Sequence, residues 1–484
     1  MPNLNDILIM LPEFYLVAAA CLLLLLDAFM RSAERPMLHW IAIAVLLVAI
    51  YLVVAGQPVQ TVTAFGGMFV RDRMAEILKV FALLTTAAAF VYARPYLIDR
   101  KLVNGEFYTL MIFAVIGIML LVSAGSLVTV YLGLELLSLS SYALVALNRD
   151  ARLPSEAAIK YFVLGALASG MLLYGMSMVY GASGMGATPT LDLAQLHHVM
   201  SYTTAPKMLL FGLIFMIIGI GFKLGVAPFH MWIPDVYQGA PTPVTAFIAS
   251  ASKLASFGMA YRLLEVGMGD LAHQWQLILS VLAVLSLVIG NLVAIVQTNL
   301  KRLLAYSTIS HMGYLLLALA AASPEGYAAA MFYAICYALM SVASFGVILA
   351  LARSGFECEE ISDLKGLNQK SPWLAFLMML AMFSLAGVPP LLGFWGKALV
   401  LEAAIHANML WLAIVGVVFA IVGLYYYLHV VKVMYFDKPV EGSVLAAKPD
   451  VTLRVVLSVN ALMLLALGLF WGPLLGWCRS AFGL

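Results

Sequence analysis

Seven side chains that ionise interrupt apolar runs or flank breaks in them. Glu135 stands inside the run Leu127–Leu147, and Lys223 inside a run that begins near Lys207. Lys253 lies about 18 Å of helix rise beyond Pro241. His311 is inside Leu300–Ala322, and Lys397 is inside Pro372–Ala407. Lys160 is near the start of its run, and His230 follows Pro228. If these runs cross a bilayer, each central charge costs roughly 2.5–3.5 kcal/mol to insert, so each marks a function or a tight pair. The chemistry that suits them is proton transfer. A desolvated lysine exchanges its proton near neutral pH, and a nearby carboxylate shifts it back toward the charged form. The expected arrangement is a polar row, Glu135, Lys223, Lys253, His311 and Lys397, across mid-membrane and linked by water.

Plainer readings stand beside this one. Glu135 could be a structural counter-ion to a lysine, and structural pairing alone could account for Lys223 and Lys253. Lys160 and Lys397 could snorkel to the surface. His230 and His311 could be satisfied core histidines. Arg262 and Glu265, three apart, read as a surface pair.

The elements that must position these residues are membrane helices. Of 484 residues, 64% are hydrophobic and only 10% charged, too few charges to cover a soluble domain. About fourteen stretches have the length one crossing needs. The predicted fold is therefore all-α and polytopic. The first stretch, Ile7–Met30, has Asp6 and Glu13 at its start rather than a basic region and reads as a retained helix, not a signal peptide. A net charge of +2 gives no argument for nucleic acid. The four cysteines are far apart and form no CxxC pair, so metal ligation is not expected. No glycine-rich phosphate loop is present, so no nucleotide site is expected.

Two runs are broken. Gly225 and Pro228 interrupt one, Gly387 and Pro390 the other, within the similar segments Gly225–Phe229 and Gly387–Leu391. Proline removes a backbone donor and clashes with the preceding turn. In lipid, the freed groups must find partners in protein or water. Segment Ser138–Leu144 resembles Ser310–Leu316, and Ala157–Phe162 resembles Ala328–Tyr333, in the same order. A repeat of about five helices has an odd number of spans, so its two copies are inverted, and paired broken helices point to a transport site. The expected organisation is residues 1–106 as three N-terminal spans, 107–268 and 269–436 as the two repeats, and 437–484 as a last span. Basic residues gather on one set of loops, among them Arg31, Arg35, Arg100, Lys101, Arg149, Lys301, Arg302, Arg353, Lys432 and Lys448. By the positive-inside rule those loops are cytoplasmic and both termini lie outside.

The run Pro228–Phe247, PFHMWIPDVYQGAPTPVTAF, followed by Ser252 and Lys253, resembles the signature of the antiporter-like membrane subunits of respiratory complex I and Mrp-type cation/proton antiporters. Leu303–Tyr314, LLAYSTISHMGY, is similar to a second segment of that family, and the resemblance covers nearly the whole chain. Glu156–Ala166, EAAIKYFVLGA, is similar to a motif of the family's N-type branch. The chain ends soon after its last span, without the long lateral helix of the L-type sibling. Lys397 stands where the M-type sibling typically has glutamate. The resemblance implies proton translocation within NADH–quinone oxidoreductase in a bacterial inner membrane. It makes Glu135 and Lys223 an input pair, Lys253 a relay and Lys397 an output, with Lys160, His230 and His311 as further path residues. It places FMN, iron–sulfur clusters, NADH and quinone in partner subunits, with no cofactor in this chain. It implies membrane-arm partners that include a sibling antiporter-like subunit. A cation/proton antiporter subunit and a non-pumping scaffold remain as alternatives.

Overall fold

A computed structural model describes residues 4–30, 35–58, 60–185, 188–200, 206–439 and 450–484. Arg31 and Lys448, used above for orientation, lie outside the described residues. The chain begins with α1 (Leu4–Ile9), α2 (Leu11–Phe29) and α3 (Pro36–Ala55). A small antiparallel hairpin follows, β1 (Val62–Ala64) and β2 (Phe69–Arg71), with Val62 opposite Arg71. Next come α4 (Arg73–Asp99), α5 (Gly105–Val122), α6 (Leu127–Val145), α7 (Arg152–Ser183), α8 (Leu193–Met200) and α9 (Pro206–Leu224). The middle of the chain forms α10 (Trp232–Gly239), α11 (Thr242–Ala249), α12 (Ala251–Tyr261), α13 (Ala272–Ile295), α14 (Leu300–Ala320) and α15 (Pro324–Leu351). The remainder forms α16 (Leu367–Lys370), α17 (Pro372–Ala386), α18 (Leu392–His406), α19 (Leu410–Tyr435), α20 (Val451–Leu469) and α21 (Gly472–Ser480).

Among the described residues, 12 helical segments are long and apolar enough to cross a membrane. Two further apolar stretches of spanning length in the sequence, Pro241–Val266 and Pro372–Ala407, are each split in two. The second split falls at Gly387, as the sequence predicts. The first falls at Ser250, between α11 and α12, with no proline or glycine at the break. There the backbone leaves the helix (φ −115, ψ −83), and Ser250 Oγ donates to the Ala246 carbonyl at 2.6 Å. Serine competes with the helix for its own backbone groups, a signal too common to read from sequence.

The core is built around α15, which is buried from Gly326 to Leu351. It packs against α4, α11, α12, α14, α17, α18, α20 and α21. Small residues, Ala328, Ala330, Ala334, Ala338 and Gly346, let the neighbours approach closely. A Cβ on Gly346 would meet the Tyr92 ring at 2.8 Å. Helices α2, α3, α7, α13 and α19 carry exposed large apolar side chains such as Leu25, Tyr51, Val163, Leu277 and Ile421. Apolar surface on this scale is a lipid or partner face.

The expected surface pair of Arg262 and Glu265 does not form. Arg262 is buried, pairs with Asp72 at 2.7 Å and donates twice to the Val122 carbonyl, at 3.0 and 2.9 Å. Glu265 instead accepts from the Tyr327 hydroxyl. Residues Arg262–Val266 form a π turn, whose wider register takes the two side chains off a shared face.

Candidate functional site

The two breaks are built alike. Helix α9 ends at Leu224, and Gly225 takes a left-handed φ of 80. The Val226 N–H reaches back to the Gly221 carbonyl at 3.0 Å, and Gly225 N–H donates to the same oxygen at 2.8 Å. Helix α17 ends at Ala386, Gly387 has φ 87, and Val388 N–H reaches Phe383 O at 2.9 Å. Only glycine adopts this backbone without strain, which explains its place at both helix ends. Each break also holds a cis X-Pro bond, Ala227–Pro228 and Pro389–Pro390.

A helix end leaves carbonyls that apolar surroundings cannot satisfy. At both breaks a lysine supplies the donor. Lys253, on α12, donates to Leu224 O at 2.9 Å and lies 3.4 Å from Lys223 O. Ser256 also donates to Lys223 O at 3.3 Å. Lys397, on α18, donates to Ala386 O at 2.7 Å. Each ammonium also lies over an aromatic ring, Lys253 over Trp232 at 5.0 Å and Lys397 over Tyr314 at 5.3 Å. Neither lysine snorkels, since Lys253 is 0% exposed and Lys397 8%.

Lys223, in the last turn of α9, is 3% exposed and donates to Ser138 Oγ on α6 at 3.0 Å. A cavity of about 10 Å3 beside it is lined by Ser138, Tyr142, Ser169 and Phe222. That is the size that holds one water. The expected ion pair with Glu135 is not formed. Glu135 is only partly buried and sits one turn before Ser138 on α6, and the ammonium meets the Ser138 hydroxyl instead.

His311, buried in α14, has both ring nitrogens occupied. The Tyr333 hydroxyl is 2.7 Å from Nδ1 and the Tyr427 hydroxyl 3.1 Å from Nε2. In a neutral ring one hydroxyl accepts and the other donates. His230 is half-buried in the turn between Gly225 and α10, and no hydrogen bond joins it to Lys223 or Lys253. Lys160 is set outside the buried row. It is half-exposed and pairs with Asp235 at 2.8 Å and Glu156 at 3.0 Å, and Asp235 pairs in turn with Arg302 at 2.9 Å.

One buried charge cluster was not singled out from the sequence. Lys79 pairs with Glu13 at 2.8 Å and Glu76 at 3.4 Å, and Glu76 pairs with Arg71 at 2.9 Å. All four side chains are buried. The signal was available: Glu13 and Lys79 are opposite charges in two different apolar runs, and Glu76 and Lys79 are three apart on one helix face. The hydroxyl partners Ser138, Tyr333 and Tyr427 were missed as well, because serine and tyrosine are ordinary packing residues in membrane helices. Among the described residues, no group of three or more His, Cys, Asp or Glu is placed to hold a metal ion.

This architecture is that of a multi-pass helical membrane protein with buried lysines capping two broken helices. Comparison with known proteins narrows the class. Residues 124–423 match the family model described as NADH:quinone oxidoreductase/Mrp antiporter, TM, and residues 3–91 match NAD(P)H-quinone oxidoreductase subunit 2 N-terminal. The chain is 56% identical to NADH-quinone oxidoreductase subunit N of Xanthomonas euvesicatoria, over 99% of this chain and 96% of that protein. It is 49% identical to the subunit N of Thioalkalivibrio sulfidiphilus, over 99% of both. Its fold matches a chain of respiratory complex I from Thermus thermophilus with a TM-score of 0.80 and 33% identity, over 96% of this chain and 98% of that one. The chain belongs to the NADH-quinone oxidoreductase subunit N family.

Proposed function

We propose that this chain is the subunit that moves protons across a bacterial inner membrane as NADH-quinone oxidoreductase works. Glu135, Lys223, Lys253, His311 and Lys397 carry them. The observation that supports this most is the pairing of a buried lysine with the freed carbonyls of each broken helix, Lys253 with Leu224 and Lys397 with Ala386. An ammonium held this way has a reason to stay charged, and losing its proton removes the helix end's donor. Proton movement and the arrangement of the break are thereby coupled.

In the first half, Glu135 exchanges its proton through Ser138 with Lys223, whose own carbonyl faces the Lys253 ammonium. In the second half, His311 and Lys397 pass the proton on. Residues 107–268 and 269–436 act as two inverted halves, a reading supported by the matching glycine, backfolded N–H and lysine at each break. Both termini face the periplasm. NADH, FMN, iron–sulfur clusters and quinone belong to partner subunits, and the neighbours include a sibling antiporter-like subunit of the membrane arm.

The test is NADH-driven proton uptake by inverted membrane vesicles carrying Lys223→Ala or Lys397→Ala, after native gels establish assembly. Lost uptake with an intact complex supports the lysine row. Intact uptake with an intact complex refutes it and leaves a scaffold role.

A further inference from the structure

The second half of the row contains a hydroxyl chain that the lysines do not explain. The Tyr427 hydroxyl, on α19, bonds His311 Nε2 on one side and the Ser307 hydroxyl on the other. A buried tyrosine needs one partner for its hydroxyl. Tyr427 has two, and they connect different places. Ser307 lines a cavity of about 10 Å3 together with Tyr337, Ser341 and Ser344, again the size that holds one water. Across the ring, Tyr333 bonds His311 Nδ1 and packs on Gly396, the residue before Lys397. A Cβ on Gly396 would lie 3.1 Å from the Tyr333 ring.

The direction of this chain follows from the helices. Helix α14 starts at Leu300, beside Lys301 and Arg302, and Ser307 lies between that end and His311. Helix α15 ends at Leu351, beside Arg353, and Ser341 and Ser344 lie on the half nearest that end. The cavity is therefore on the basic-loop side of His311. That side is cytoplasmic by the positive-inside rule.

We propose that Ser307, Tyr427 and the water-sized cavity between α14, α15 and α17 form a proton passage from the basic-loop face to His311. This rests on the reading of the chain as a proton translocator and adds a route and a face to it. At each atom one proton arrives and one leaves. A proton from cavity water binds Ser307 Oγ as the serine's hydrogen passes to Tyr427, and Tyr427 gives its own hydrogen to His311 Nε2. The ring then releases its Nδ1 hydrogen to Tyr333, whose hydroxyl hydrogen leaves toward Lys397. Ser341 and Ser344 hold the water that feeds the chain.

The experiment uses the assembled complex in inverted vesicles, where the basic-loop face meets the medium. Tyr427→Phe and Ser307→Ala keep the core volume and remove the relay oxygens, and Ser307→Thr restores one. Both losses are expected to abolish most NADH-driven proton uptake with assembly intact, and Ser307→Thr is expected to recover it. The residual rate of Ser307→Ala should fall further as the medium, not the lumen, is made alkaline. Lys397→Ala is measured alongside. If it loses uptake while Ser307→Ala and Tyr427→Phe retain the parental ratio, the passage is refuted and the lysine row stands. If Lys397→Ala also retains uptake, the proton-translocating reading itself fails. A residual rate that follows lumenal pH would overturn the assigned face. Should Tyr427→Phe fail to assemble, Ser307→Ala against Ser307→Thr decides the question.

Discussion

The Lys253 ammonium lies 2.9 Å from the carbonyl oxygen of Leu224, the last residue of α9 before Gly225 turns the chain away. One side chain therefore serves as helix cap and as titratable group. Removing it exposes a cost that a surface lysine would not have. Lys253→Met should destabilise the subunit by about 1–3 kcal/mol, the cost of leaving a buried acceptor unmade. Thermal melting of the assembled complex would measure it, and unchanged melting would mean that Ser256 alone satisfies the break.

Gly387 lies at the matching place in the second break. Its φ of 87 is strained for any other residue, and an added Cβ would meet Lys397 Cδ at 2.9 Å. Gly387→Ala should cost at least about 1 kcal/mol of stability. It should also displace Lys397 and depress proton uptake, read by vesicle assay beside the melting curve.

Ser138 joins α6 to Lys223 at 3.0 Å. Ser138→Ala should leave a folded complex with slowed proton uptake, while Ser138→Thr retains the parental rate. Equal rates for alanine and threonine would show that Glu135 and Lys223 exchange without it.

Lys160 belongs to an exposed network with Glu156 and Asp235. Exposed pairs contribute about 0–1 kcal/mol. Lys160→Ala should assemble and translocate nearly as the parent does. A loss of uptake like that of Lys223→Ala would return Lys160 to the path.

Lys79 balances two buried carboxylates, Glu13 and Glu76. Lys79→Met leaves one of them unpaired, which costs about 3–5 kcal/mol when a buried pair is broken. The expected result is a subunit missing from the assembled complex on native gels. Lys79→Met with Glu13→Gln should restore assembly in part.

Much of the fold was legible because lipid imposes simple rules. Apolar runs of spanning length marked the helices, and Gly387 with Pro390 marked the second break, since both leave a local trace in the chain. The split at Ser250 had no such trace. It depends on one serine bonding to Ala246, and most serines in membrane helices do the same without breaking them. The π turn at Arg262–Val266 was equally silent, so Arg262 and Glu265 were misread as partners.

The sequence by itself determined the class of the protein, the two breaks marked by Gly225 with Pro228 and by Gly387 with Pro390, and the burial of Lys223, Lys253, His311 and Lys397. These follow from composition and spacing, which act along the chain. Only the tertiary structure decided what each charge touches: Lys253 and Lys397 on helix-end carbonyls, Lys223 on Ser138 rather than Glu135, His311 between Tyr333 and Tyr427, and Lys160 outside the row. Those partners sit on different helices, from 11 residues apart for Lys397 and Ala386 to 116 for His311 and Tyr427. The reach of a hydrogen bond is about 3 Å, so the packing of the helices, not the order of residues, selects which pairs meet.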